Sequence, residues 1–242
     1  MRRYFAAFVA VCALLVIVSG AVLTTLRHTA VQSAFVHTRI GIAFGILSFA
    51  VGVWALLDRH PVLRSLGLLT AVATGLEAMP RAVLVHACFA PILFTAIACI
   101  AWFDPDDRKH AGTATPSLRW LVLALPPLVL LQIALGAAHR HEEASVMLHM
   151  GNALLVAGLI LVVCVMLLRT FPACQPLRSP AVTLIALVLL QISLGIAVFL
   201  LRLLEMDSSL ALIVGAAAHV TGGALILATC TALSLRYVRS VY

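Results

Sequence analysis

The chain has 242 residues, of which 63% are hydrophobic and 10% are charged, and its formal net charge is +7. A soluble domain needs far less apolar side chain, so this composition predicts that a lipid bilayer surrounds most of the protein. No basic cluster interleaved with aromatic residues occurs, and nucleic acid is therefore excluded as a predicted partner.

Eight apolar segments follow one another along the chain, and most reach the roughly 20 residues that a helix needs to cross a bilayer. Their ranges are 5–26, 34–57, 62–79, 81–103, 118–138, 144–169, 180–203 and 208–236. The third segment is short and is interrupted by small residues and a proline. Because the apolar runs are continuous rather than alternating, they predict helices and not barrel strands. The predicted fold is an all-α polytopic membrane protein with eight transmembrane helices.

The basic residues predict the orientation of these helices. With the N-terminus inside, eleven of the 16 Arg and Lys residues fall on the inner side of the membrane and five lie near the outer side. We therefore expect a multi-pass protein of a bacterial inner membrane with both termini in the cytoplasm. The first apolar segment exceeds the length of a signal-peptide core, which favours an uncleaved anchor.

The polar stretch 104–117 predicts a cytoplasmic linker between two halves, 1–103 and 118–242. The sequence "RHTAVQSAFVH" (27–37) leads into the second segment of the first half, and "RHEEASVMLH" (140–149) leads into the second segment of the other. Repeats of this kind predict two pseudo-symmetric four-helix bundles related by an axis along the membrane normal.

A second repeat joins the fifth and seventh segments, which share "VLLQIALG" (129–136) and "VLLQISLG" (188–195). Small residues allow close helix packing, and amide side chains form hydrogen bonds between membrane helices. We therefore expect this motif to serve packing, with Gln132 and Gln191 as interhelical donors. Prolines in the fourth and fifth segments (Pro91, Pro126 and Pro127) predict main-chain carbonyls left free one turn earlier.

Four of the nine histidines lie inside apolar segments, one in each even-numbered segment and all in its outer half. These are His37, His86, His149 and His219. Ionisable groups in lipid are costly, so four that are placed this regularly indicate ligands. Paired histidines on neighbouring helices of a bundle are typical of axial haem ligation. We predict that His37 pairs with His86 and that His149 pairs with His219 as ligands of haem iron.

Each histidine is followed one helical turn later by a small residue. These residues are Gly41, Ala90, Ala153 and Gly223. Positions i and i+4 share a helix face, so a small side chain there leaves room for a flat macrocycle. Zinc or copper needs three or four converging donors and fits this pattern less well. His219 lies about 6 Å deeper in its segment than His149 does, so the last helix must tilt or begin above the membrane.

Arginines near the outer ends of the segments are candidates for binding the haem propionates. They are Arg27, Arg39, Arg81 and Arg140. The guanidinium group suits bidentate pairing with a carboxylate. For Arg27 and Arg140 the alternative is that they anchor helix ends by extending to the membrane surface.

The chain resembles the haem A synthase family of cytochrome-oxidase assembly proteins over nearly its whole length. The resemblance rests on eight helices in two halves, one outer-side histidine on each even helix, the "LLQIxLG" segments, and "LGAAHRHEEA" (135–144). It implies a substrate haem site at His37 and His86, and a haem b site at His149 and His219.

The family's chemistry implies oxidation of a methyl group of haem O to the formyl group of haem A. It also implies haem O synthase, cytochrome oxidase or another respiratory complex as partners, with a homo-oligomer as a further candidate assembly. Position 34 is Ala where family members commonly have a glutamate. Glu77, at the outer end of the third segment, is the candidate catalytic carboxylate, and an ordinary helix-end charge is the alternative.

Two other functions are compatible with the same histidines. One is a dihaem membrane cytochrome that transfers electrons to or from quinol or serves as an accessory subunit. The other is a haem-handling assembly factor without turnover. Ala34 favours these two, whereas the unequal outer loops of the two halves favour the synthase.

Overall fold

The computed structural model describes residues 1–25, 30–77, 83–104, 116–206 and 209–241, without the side chains of 30–34, 83, 116 and 241. The described residues form eight α-helices. These are α1 (Arg2–Thr25), α2 (Ala30–Leu56), α3 (Pro61–Glu77), α4 (Val83–Trp102), α5 (Pro116–Arg140), α6 (Val146–Thr170), α7 (Gln175–Leu203) and α8 (Leu210–Val241). Arg27, Arg81 and most of the predicted linker lie outside the described residues.

Seven of these helices are long and apolar enough to cross a membrane. The exception is α3, which has 17 residues. Large apolar side chains point outward along the helices, and Leu154 and Leu155 of α6, for example, are 71% and 75% exposed. Apolar surface of this extent requires lipid rather than water around it. The prediction of a helical multi-pass membrane protein is confirmed.

The helices pack as two rings of four. In each ring every helix contacts its neighbour in sequence, and the first contacts the fourth: α1 packs on α4, and α5 packs on α8. One apolar core lies among α1–α4 and the other among α5–α8. Three alanines of α8 (Ala224, Ala228 and Ala232) belong to the first core. The last helix therefore joins the two halves.

The helices α2 and α3 touch through their main chains at two glycines. A Cβ on Gly67 would lie 2.6 Å from the carbonyl oxygen of Gly52, and a Cβ on Gly52 would lie 2.9 Å from the amide nitrogen of Ala71. Only glycine permits this approach, as is usual where membrane helices pack closely. The short α3, which carries Glu77, is thereby held against α2.

The prolines of α5 leave an acceptor that another helix uses. Pro126 has no N–H, so the carbonyl of Val122 one turn earlier lacks its helical partner. The hydroxyl of Ser234 on α8 donates to this oxygen at 2.9 Å, and Ser234 is buried. The freed carbonyl predicted from the sequence is confirmed, and it ties α5 to α8.

Charged groups cluster at the end of the molecule that holds both termini. Arg2 at the start of α1 pairs with Asp58 after α2. Arg3 lies 2.9 Å from the carboxylate of Asp104, and Arg239 of α8 donates to the main-chain oxygen of Asp104 at 2.6 Å. These contacts join α1, α2, α4 and α8 at one membrane face. All six cysteines are free thiols.

The α5–α6 and α7–α8 hairpins turn in the same way at the opposite end. Glu142 and Glu205 both have positive φ angles, of 63° and 54°. The N–H of Glu143 donates to the carbonyl of Ala138 at 2.8 Å, and the N–H of Met206 donates to the carbonyl of Leu201 at 3.0 Å. Both hairpins thus show the Schellman ending of a helix. Ser145 and Ser209 then cap α6 and α8, each accepting a main-chain N–H at 3.2 Å.

Candidate functional site: two histidine pairs

The first pair of histidines lies between α2 and α4. The ring centres of His37 and His86 are 6.1 Å apart, and the ring planes are 89° to each other. Both rings are about half-buried, close to the end of the bundle where α1 and α3 finish. The structure thus brings together the two histidines that the sequence predicts as a pair.

Side chains of α1 and α3 determine which nitrogen of each ring carries the proton. Ser19 donates its hydroxyl proton to the carbonyl of Val16 at 2.8 Å, so its oxygen must accept the N–H of His37 Nδ1 at 2.9 Å. The Oε1 atom of Glu77 lies 2.7 Å from Nδ1 of His86, and an ionised carboxylate can only accept. In their neutral forms both rings therefore carry the proton on Nδ1, which leaves the lone pair on Nε2.

The second pair lies between α6 and α8 and has nearly the same spacing. The ring centres of His149 and His219 are 6.3 Å apart, and the planes are 76° to each other. His149 is the fourth residue of α6, whereas His219 is the tenth residue of α8. This six-residue difference corresponds to about 9 Å along a helix.

The α7–α8 hairpin is longer than the α5–α6 hairpin, and this brings the two rings level. Beyond Gly195, α7 continues for eight residues, whereas α5 continues for only four residues beyond Gly136. The second hairpin therefore extends farther from the histidine pair. The depth difference seen in the sequence is accommodated by the longer hairpin.

The two glutamines of the "LLQIxLG" segments hold the histidine main chain. The side-chain amide of Gln132 donates to the carbonyl of His149 at 3.0 Å, and that of Gln191 donates to the carbonyl of His219 at 2.8 Å. Asn152 fixes the orientation of Gln132 by donating to its Oε1 atom at 2.8 Å. The prediction that both glutamines are interhelical donors is confirmed.

The Gln132 amide also lies 2.9 Å from Nδ1 of His149. Since its nitrogen is a donor, this contact places the remaining ring proton of a neutral His149 on Nε2. The amide has two protons, so it can release the ring and keep the main-chain carbonyl. A ligand at Nε2 requires that release, which the first pair does not need.

The glycine of the same motif packs against the imidazole. A Cβ on Gly136 would lie 2.8 Å from Cε1 of His149, and a Cβ on Gly195 would lie 3.1 Å from Cε1 of His219. Gly20 of α1 has the same relation to His37, also at 3.1 Å. The sequence analysis did not identify Gly20 as a residue that packs against His37. The available signal was its position next to Ser19, near the end of an odd-numbered helix.

The small residues one turn after the histidines have different surroundings. A Cβ on Gly41 would meet nothing within 4 Å, so space is open there. Ala90 packs against the first core, and Ala153 is half-buried. A Cβ on Gly223 would lie 3.7 Å from the Gln191 amide. Of the two glycines, only Gly41 has open space beside it.

Two of the four arginines predicted to bind propionates, Arg39 and Arg140, lie within the described residues. Arg140, at the end of α5, donates to the hydroxyl of Thr24 on α1 at 3.3 Å and lies one helical turn beyond Gly136, which packs against His149. Arg39 lies on an exposed part of α2, with its guanidinium 4.8 Å from the ring centre of Phe35. A propionate-binding role for either residue stays a prediction.

The ring-centre spacing of both pairs equals that of two imidazoles that bind one metal ion from opposite sides. Bonds of about 2 Å to each nitrogen, with about 1 Å from nitrogen to ring centre, separate two axial rings by about 6 Å. Both pairs have this separation. Within the described ranges, no group of three or more His, Cys, Asp or Glu side chains is placed to hold a metal ion. An ion held at either pair would therefore take its remaining ligands from another group, as the iron of a haem does.

Comparison with known proteins identifies no family for this chain. No protein-family model matches the chain, and no curated protein matches it significantly. The function must therefore be argued from the residues themselves.

Proposed function

We propose that this chain is a bis-histidine haem protein of a bacterial inner membrane, with one haem site in each half. In this proposal all eight helices cross the membrane as two pseudo-symmetric four-helix bundles. Both termini lie in the cytoplasm, and the haem sites lie in the outer half of the bilayer. The excess of basic residues on the predicted inner side supports the orientation.

The observation that carries the proposal is the duplicated pair of imidazoles. Each half brings two rings from its even-numbered helices to a centre spacing of 6.1 or 6.3 Å. The residues that surround a ligating histidine normally bond its other nitrogen and fix its orientation. Ser19 and Glu77 have this relation to the first pair.

Haem, when bound, supplies redox chemistry at its iron and at the periphery of the porphyrin. The protein's own residues provide ligation, orientation and an apolar surrounding. Ser19 and Glu77 hold the first two imidazoles, and Gln132 and Gln191 fix the helices that carry the second two. The exposed apolar faces of the helices offer room for an isoprenoid tail beside the site.

The leading activity is oxidation of a methyl group of haem O to a formyl group at the first site, with haem b held at the second. The difference between the two pairs supports this division of roles. A carboxylate contacts a ligand histidine only in the first pair among the described residues, while amide groups surround the second. The nearly equal ring spacings favour the second candidate, electron transfer between two permanent haems.

Extraction and mass analysis of the bound porphyrins distinguish these functions. The full chain is produced in a bacterium that also makes haem O, and its pigments are compared with those of the His37→Ala variant. The synthase predicts haem O, its hydroxylated form or haem A in the wild type, and none of these in the variant. Haem B alone in both sites would argue instead for the electron-transfer function.

A further inference from the structure

The four histidines differ in the charge of the side chain that contacts them. Each has a partner on the preceding odd-numbered helix: Ser19, Glu77, Gln132 and Gln191, in chain order. Three of these partners are neutral. Only His86, within the described part of the chain, has a carboxylate against its ring.

The charge of Glu77 is directed at His86. Glu77 is the last residue of α3, and its side chain is 17% exposed. One carboxylate oxygen lies 2.7 Å from Nδ1 of His86, and the other is buried without a hydrogen-bond partner among the described residues. A charge with so little solvation acts strongly on its neighbour, because the local dielectric constant is low.

The second pair has a charge of the opposite sign nearby. Arg140 is half-buried and lies one helical turn beyond Gly136, which packs against His149; its guanidinium donates to the neutral hydroxyl of Thr24 on α1. None of the ion pairs found between described residues includes Arg140. A carboxylate thus adjoins the first pair and a guanidinium adjoins the second.

These charges have predictable effects on a metal ligated by the histidines. A carboxylate that accepts the Nδ1–H of a ligand histidine makes the imidazole more basic and stabilises the oxidised metal. A nearby cation stabilises the reduced metal. Hydrogen bonding around the ligands is one of the means by which a protein adjusts haem potentials.

We propose that Glu77 is a positioning residue that acts through His86 and makes the first haem the lower-potential site of the two. The inference rests on the proposed haem binding and adds the order in which the two haems are reduced. During a reductive titration the haem of His149 and His219 is reduced first, and the haem of His37 and His86 follows.

Redox titration of the full chain with both haems bound, followed by visible absorbance, tests this order. The wild type should show two steps, and the lower step should be the one that disappears in His37→Ala. In Glu77→Gln the lower step should move to higher potential while the upper step stays in place. Glu143→Gln removes an exposed carboxylate at the same end of the molecule and should leave both steps unchanged.

A second variant covers the case in which Glu77→Gln does not retain its haem. Ser19→Asp puts a carboxylate beside Nδ1 of His37 and should move the lower step further down. Haem-loaded protein whose potentials do not respond to either substitution, or whose first haem is the easier to reduce, overturns the inference alone. Wild-type protein that binds no haem overturns the proposed function instead.

Discussion

At the scale of single residues, the histidines are held by side chains that the sequence places one helix earlier. The position of one histidine on each even-numbered helix predicted which histidines would form a pair. It did not predict their partners, because helix periodicity does not fix how each helix is rotated about its axis. Glu77 was therefore predicted only as a candidate near the first site, and its contact with His86 at 2.7 Å required the structure.

The packing of glycine against imidazole leads to a test with a matched control. In Gly136→Ala the new methyl carbon would lie 2.8 Å from Cε1 of His149, and we expect this overpacking to cost about 1–3 kcal/mol. The ring must shift, so the second haem should be lost or weakened, as measured by absorbance per protein. Gly151→Ala, on α6 where nothing lies within 4 Å, should keep full absorbance. Equal haem content in the two variants would contradict the role of Gly136.

At the scale of helices, the apolar runs predicted the number and order of the elements well, but not their ends. For example, α7 begins at Gln175 rather than at residue 180, because Pro176 is compatible with a first helical turn. The depth of His219 predicted that α8 must tilt or begin above the membrane, but not that α7 would also be extended. Turn geometry at Glu142 and Glu205 depends on positive φ angles that glutamate does not signal in sequence.

The glycine contact between α2 and α3 predicts how the first site depends on helix packing. In Gly67→Ala the added carbon would lie 2.6 Å from the main-chain oxygen of Gly52, so α3 must move away from α2. We expect a loss of stability of about 1–3 kcal/mol and weaker binding of the first haem, since α3 carries Glu77. Thermal unfolding and haem content measure both effects.

Gly75→Ala is the control for that substitution within the same helix. Its added carbon would meet nothing within 4 Å, so stability and haem content should match the wild type. Should Gly67→Ala behave like this control, the main-chain contact between α2 and α3 would not determine the position of Glu77.

At the scale of the whole molecule, the two rings of helices are joined mainly through α8. Its alanines contribute to the first core, and α8 packs against both α1 and α4. The internal repeats predicted two halves, and in each of them the first helix contacts the fourth. The sequence could not predict which helices join the halves, because small residues such as alanine are common on every face of a membrane helix.

Haem binding at two separate histidine pairs is measured directly by the ratio of haem to protein. Full-length protein purified from iron-replete cells should contain two haems per chain, one for each pair of rings. His37→Ala and His149→Ala should each retain one haem. Colourless wild-type protein, or a His37→Ala variant that still holds two haems, would contradict the account.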